Sequence, residues 1–216
     1  MMLKVWGRRS SANVQKVLWL VGELDLPYAH VPAGGDFGRL DDLEFRALNP
    51  HGKVPVIRDG AVVVWESHAI LRYLAATYGA DRFWPAEPAA RARGDGWMDW
   101  AQTALQPAFL GGVFWGFYRT PPAERDAAAV AAALDRTHRL LGLVETQLAE
   151  RAFVTDEALS LADMAIGAHL YRYFELEIER PSLPRLEAWY DRLRTRPAYR
   201  EHVMVSFAEL EGRLAF

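Results

Sequence analysis

Strand-like and helix-like patterns alternate through the first 80 residues of this 216-residue chain, and nothing from residue 89 onward reads as a strand. That change of period confines the fold to a small α/β unit followed by an all-helical one. In the first part, "LKVWG" is a short apolar strand. Val14, Val17, Leu18, Val21 and Leu24 then fall at helical spacing, so a helix is expected from residue 12 or 13. "YAHVPA" is a second strand. The polar, glycine-rich stretch "GGDFGRLDDLEFRALNPHG" is a loop with a short helix near Asp41–Ala47. "VPVI" and "AVVVW" read as a hairpin turning at Arg58-Asp59-Gly60, because Asp-Gly between β-branched runs favours a tight turn. "ESHAILRYLAATYG" is an amphipathic helix with Gly79 as its C′ residue.

The proline-bearing residues 81–89 form a linker between an α/β domain at 1–80 and a helical domain at 90–216. Helix patterns there run over Ala90–Phe117, Ala123–Glu150, Ser160–Phe174 and Pro184–Arg194. "SLAD", Ser160 to Asp163, fits a capping box with Asp in place of Glu.

Composition removes several classes of function. Lys and Arg number 25 against 28 Asp and Glu, with no basic patch, so no nucleic-acid partner is expected. The chain has no cysteine, which rules out disulfides, thiolate metal sites and a cysteine nucleophile. The six histidines (30, 51, 68, 138, 169 and 202) show no metal-ligand spacing, so no metal is expected. No G-x-S-x-G elbow frames a serine, and "GKV" lacks the glycine and the Ser/Thr of a phosphate loop. The start, "MMLKVWGRRSS", has no apolar signal region, and no apolar run approaches the ~18 residues of a membrane span. A soluble, cytoplasmic protein without a membrane partner is expected.

Three short stretches carry candidate chemistry. In "GRRSSANVQKV", Ser10, Ser11 and Asn13 precede the first helix, either as its caps or as donors to an anion at its N-terminus. In "NPHGKVPV", Pro55 lies within a strand pattern, which suits an edge strand. It also suits a cis bond that turns the Val54 backbone outward to pair with an extended peptide. In "WES", Ser67 is either the N-cap of the next helix, with Glu66 beside its positive end, or a carboxylate donor, with Glu66 accepting from an ammonium. An α-amino acid head carries both of those groups.

Taken in this order, "SSANVQKV", "NPHGKVPV", "WESHAILRYL" and "LSLADMAIGAHLYR" resemble the cytosolic, serine-using, theta-like glutathione S-transferases over nearly the whole chain. The resemblance implies a thioredoxin-like α/β N-terminal domain and an all-α C-terminal domain. It implies glutathione as co-substrate, conjugation to a small hydrophobic electrophile, and a homodimer. In the serine-using classes the active hydroxyl stands six residues before a valine of the first helix, so Val17 marks Ser11, with Ser10 as its rival. Asn13, at a position where a related isomerase-like class has cysteine, is a second donor or a cap. Val54, next to Pro55, is expected to pair with the cysteinyl part of glutathione. Glu66 and Ser67 are expected to hold its γ-glutamyl head, and Lys53 with His51 to face its glycine carboxylate. Phe109, Phe114, Trp115 and Tyr118 are candidate walls for the electrophile, weighed against an ordinary place in the core. Glutathione-dependent peroxidase or disulfide reductase activity, and a glutathione-binding module without turnover, are the alternatives.

Overall fold

A computed structural model describes residues 2–80 and 82–214. Four short strands, β1 Leu3–Trp6, β2 Tyr28–Val31, β3 Val56–Asp59 and β4 Val62–Trp65, form a mixed sheet in the order β2-β1-β3-β4. β1 runs parallel to β2, with Leu3 opposite Tyr28, and antiparallel to β3, with Val5 opposite Ile57. A parallel pair needs a crossover connection, and α1, Ala12–Glu23, supplies it. Of its apolar stripe, Leu24 is the half-buried C-cap, and Val14, Val17, Leu18 and Val21 are buried as the spacing predicts. So are Gln15, Lys16, Trp19 and Leu20, because α3, Ser67–Tyr78, and α9, Pro197–His202, both pack on it. The Trp19 ring meets Tyr199 edge to face at 4.7 Å.

The hairpin turn lies two residues later than the sequence suggests. Asp59 pairs with Val62, so the loop is Gly60-Ala61. Gly60 has φ 60 and Ala61 does not have positive φ, as in a two-residue turn with glycine first. The loop helix, α2, spans Leu43–Leu48. Its Phe45 and Leu48 form a small core with Ala33 and Val56. Gly79 is the C-cap of α3 at φ −124, not a left-handed C′ residue. A Cβ there would sit 3.1 Å from Leu24, so close packing is what it serves.

The chain forms two compact units that are not contiguous in sequence. One takes residues 2–80, 82–85 and 197–205, and the other takes 86–196 and 206–214. The second holds no strand among its described residues. There α4, Pro88–Trp100, continues through Ala101–Leu105 and Pro107–Arg119 in wider π-helical turns, ending where the Thr120 N–H reaches the Trp115 carbonyl at 2.9 Å. α5, Ala127–Gln147, begins four residues later than expected. A 3₁₀ turn at Pro122–Glu124 precedes it, and Asp126 caps it by accepting from the Ala129 N–H at 2.9 Å. The single helix expected over 160–174 is two, α6 Leu161–Gly167 and α7 Leu170–Glu175. The chain tightens between them, where the His169 N–H bonds the Ile166 carbonyl at 3.1 Å. α8, Pro184–Arg194, lies where the pattern placed it.

The α4 extension and α5 approach each other at Gly112. A Cβ on Gly112 would lie 2.5 Å from that of Ala133, closer than two carbons can come. Gly112→Ala is therefore expected to destabilise the protein by about 1–3 kcal/mol through overpacking. A drop in the denaturant midpoint at unchanged slope checks this.

Candidate functional site

The candidate site lies in the first unit, where the N-termini of α1 and α3 and the loop before β3 supply the predicted residues. Between β1 and α1 the chain turns at Gly7, whose φ of 145 suits glycine. A Cβ on Gly7 would meet Val14 at 2.4 Å and Val54 at 3.1 Å, so the turn runs close against both helix and loop. The turn closes with the Ser11 N–H on the Arg8 carbonyl at 3.1 Å, which leaves Ser11 as the N-cap residue of α1 at φ −78, ψ 121. Its side chain makes no capping hydrogen bond. Ser10 differs: it is 5% exposed, and its hydroxyl accepts from the buried Arg8 guanidinium at 2.7 Å. The half-buried Ser11 hydroxyl is thus the serine oxygen not enlisted by the chain's own framework.

The loop before β3 is braced by Asn49, which the sequence reading passed over. Its buried amide donates from Nδ2 to the Lys53 carbonyl at 2.8 Å and accepts at Oδ1 from the His51 N–H at 3.0 Å. The Lys53 and His51 side chains remain exposed, and the His51 ring stands 5.2 Å from Trp65. The Val54–Pro55 bond is cis, as expected. β3 begins at Val56, so Pro55 precedes the strand and its missing N–H takes nothing from the ladder. Among the described residues, no backbone hydrogen bond engages the Val54 N–H or carbonyl.

The cap of α3 falls one residue earlier than expected. Glu66 is the N-cap and Ser67 the first helical residue. Glu66 holds φ 70, ψ 121, outside the comfortable range of a residue with a Cβ. Such a conformation costs of order 1–3 kcal/mol and tends to persist at functional positions. The exposed Glu66 side chain caps no N–H of its helix, so orphan donors remain at this end too.

Ser67, 1% exposed, donates from Oγ to Asn13 Oδ1 at 3.5 Å, which joins the two helix ends. Behind them lies Lys16, fully buried, with Nζ 3.1 Å from Asn13 Oδ1 and 3.3 Å from His68 Nε2. Burial pulls the Lys16 pKa down to about 7, against the opposing Glu66 carboxylate. Burial, then Lys16 and Arg72, pull His68 down to about 2, so its imidazole is neutral. The sequence reading missed Lys16 and His68. The available signal was spacing, since Lys16 follows Asn13 by three residues and shares its helix face.

The proposed electrophile walls lie in the second unit. Phe109 and Phe114 are almost wholly buried there. Phe109 meets Tyr173 at 5.8 Å, and Phe114 meets Phe207 at 5.5 Å, as core residues do. Trp115 and Tyr118 are half-buried; the Arg119 guanidinium lies 3.9 Å from the Trp115 ring centre. Among the described residues no group of three or more His, Asp or Glu side chains could hold a metal, and no helix is long and apolar enough to cross a membrane.

Comparison with known proteins agrees over both units. Residues 1–76 match the family model "Glutathione S-transferase, N-terminal domain", and residues 105–197 match "Glutathione S-transferase, C-terminal domain". The chain is 42% identical to glutathione S-transferase GstB of Escherichia coli strain K12, across 94% of this chain and 99% of that protein. It is 30% identical to glutathione S-transferase 3 of Zea mays, across 93% of each. A theta class glutathione S-transferase of Xanthomonas axonopodis pv. citri, solved with glutathione bound, superposes at TM-score 0.90 with 46% identity, covering 94% of this chain and 98% of that one. A thioredoxin-like sheet carrying uncapped helix ends, a helical second unit and end-to-end similarity of this order have one common explanation: the chain belongs to the glutathione S-transferase family.

Proposed function

We propose that this transferase holds glutathione against the N-termini of α1 and α3, with the Ser11 hydroxyl donating to its sulfur, and conjugates it to a small hydrophobic electrophile. The observation that carries the reading is the division of labour between the two serines. Ser10 is buried under Arg8, while the Ser11 side chain is left out of the helix cap. Its neighbours fit the peptide. The Val54 N–H and carbonyl are available for strand-like pairing with the cysteinyl unit. Glu66 and the Ser67 end of α3 present a carboxylate and helix-end donors to the ammonium and carboxylate of the γ-glutamyl head. Lys53 and His51, exposed on the braced loop, suit the glycine carboxylate. Of the four proposed electrophile walls, Trp115 and Tyr118 offer ring surface, and Phe109 with Phe114 support them from the core.

Retention on immobilised glutathione, followed by turnover assays, tests this reading. The expected result is retention together with conjugation of a chloro-nitrobenzene faster than turnover of cumene hydroperoxide or bis(2-hydroxyethyl) disulfide. Faster peroxide or disulfide turnover would assign the site to a reductase, and retention without any turnover to a binding module.

We also place the protein in the cytoplasm as a homodimer. Leu43 is 89% exposed and Phe37 54% exposed in the first unit, apolar surface that a second copy would cover. Sedimentation at micromolar concentration is expected to show twice the 24.4 kDa chain mass. A monomer would refute the dimer.

A further inference from the structure

We infer that Lys16 is a positioning residue for the thiolate site: it fixes the side-chain amide of Asn13 so that both N–H groups of Nδ2 are presented to glutathione. The inference rests on the proposed function above, and it concerns a residue that touches no reacting atom. It starts from donors and acceptors. An ammonium has three N–H donors and no acceptor, so the Asn13 atom it faces at 3.1 Å must be the oxygen. Ser67 Oγ donates to the same oxygen at 3.5 Å. Two donors from different elements therefore hold Oδ1 on the protein side. Nδ2 is forced to the opposite side of the planar amide, and the structure gives it no partner among the described residues. Asn13 is half-buried in the first turn of α1, two residues past Ser11. A ligand group seated at this helix end would thus meet the N–H donors of Nδ2 in the same turn as the Ser11 hydroxyl.

His68 completes the clamp. Kept neutral by burial and by the positive charges of Lys16 and Arg72, it accepts a hydrogen bond from Lys16 Nζ at Nε2. This stops the long lysine side chain from swinging away from Asn13. The groups facing Lys16 are Asn13 on its own helix and Ser67, His68 and Glu66 at the start of α3, with Arg72 behind His68. Glu66 and the acceptors Asn13 Oδ1 and His68 Nε2 oppose the loss of the Lys16 proton, and burial brings that loss down to near neutral pH. A neutral amine accepts as well as donates, so once the proton leaves, the amide is free to turn over. A thiolate arriving at the site acts in the same sense as Glu66 and keeps the proton on.

The test is a double-mutant cycle read by the ultraviolet titration of the bound glutathione thiol, with glutathione affinity and conjugation kinetics alongside. Lys16→Met is expected to raise the bound thiol's pKa by about one unit, a tenfold loss of thiolate at a pH below it. Glutathione affinity should change by less than about threefold. Asn13→Ala is expected to give a shift of the same size. The double variant should match Asn13→Ala alone, because Lys16 acts through Asn13. Asn13→Asp keeps the oxygen facing Lys16 but lacks the N–H donors. It should therefore raise the thiol pKa by more than Asn13→Ala does, because its carboxylate also repels the thiolate. Lys16→Gln still offers a donor to Oδ1 without a charge, so it should hold the thiol pKa nearer the parent value, which tests the inference even if Lys16→Met folds poorly. An undiminished Lys16→Met shift in the Asn13→Ala background would overturn the inference, since Lys16 would then act by charge alone. So would an unshifted thiol in Asn13→Asp. Failure of the proposed function looks different: no binding of glutathione by the parent protein, or no effect of Ser11→Ala while the Lys16 and Asn13 effects stand.

Discussion

Asp163→Ala is expected to lower the unfolding free energy by about 3–5 kcal/mol, the scale reached when one partner of a buried charged network is removed. The Asp163 carboxylate is fully buried at the start of α6. One oxygen accepts from the Val154 N–H at 2.8 Å; the other accepts from the Ser160 N–H at 2.8 Å and the Ser160 hydroxyl at 2.6 Å. Truncation leaves these donors unmatched at about 1–3 kcal/mol each where water cannot reach them, and it dismantles the capping box that starts the helix. Asp163→Asn keeps one acceptor but aims an NH2 at donors, so it should fall between wild type and alanine. Burial pushes the carboxyl up to about 6, and the hydrogen bonds oppose that rise. Between the ordinary value of 3.8 and about 6, the native state holds the proton more firmly than the unfolded chain. This group's contribution therefore falls as pH rises through that window. The margin of wild type over Asp163→Asn should shrink by about 1 kcal/mol from pH 5 to pH 7. Denaturant titrations at the two pH values check the sign, and a margin that stays constant would show that the buried carboxyl is ionised throughout.

Asp163 also shows which parts of the molecule a sequence displays. "SLAD" is a local signal: cap and partner are three residues apart, and the structure keeps both bonds. The sheet was legible for the same reason, because alternation in "LKVW" and the β-branched hairpin runs are properties of adjacent residues. The hairpin turn was misplaced by two residues because Arg58 and Asp59 are polar yet continue the ladder of β3. The break between α6 and α7 left no mark, since "IGAHLYR" has unbroken helical spacing. α9 was missed because six residues are too few to show a period, and its role comes from packing on α1 far back in the chain.

The site divides along the same line. Ser10, Ser11, Asn13, Val54, Glu66 and Ser67 could be picked out because each occupies a marked local position. Lys16 and His68 could not, because their meaning lies in a contact across 52 residues of chain. Asn49 stayed hidden because its amide acts on the backbone of a loop whose path no local pattern reveals. Phe109 and Phe114 stand at helical spacing, which favours core over wall, and their burial places them in the core.

Ser11→Ala is expected to cut conjugation at neutral pH by about 10–100-fold while leaving glutathione affinity within a few-fold. The sulfur must ionise before it attacks, because the thiolate is the nucleophile. A hydrogen bond to a charged acceptor contributes roughly 1.5–3 kcal/mol, and each pKa unit corresponds to about 1.36 kcal/mol. Losing the hydroxyl should then raise the bound thiol's pKa by about one to two units, with activity recovering as pH climbs toward the new value. Affinity is spared because Val54, Glu66 and Ser67 hold the peptide and Ser11 touches only the sulfur. Ser10→Ala gives the control. Its hydroxyl is already committed to Arg8 at 2.7 Å, so its loss should disturb that buried guanidinium and lower stability with little movement of the thiol pKa. The measurement is the pH profile of conjugation for both variants, paired with direct titration of bound glutathione. A larger shift in Ser10→Ala would move the thiolate donor one residue back along the chain. An unmoved profile in both would leave Asn13 and the backbone N–H groups of α1 as the donors that stabilise the thiolate.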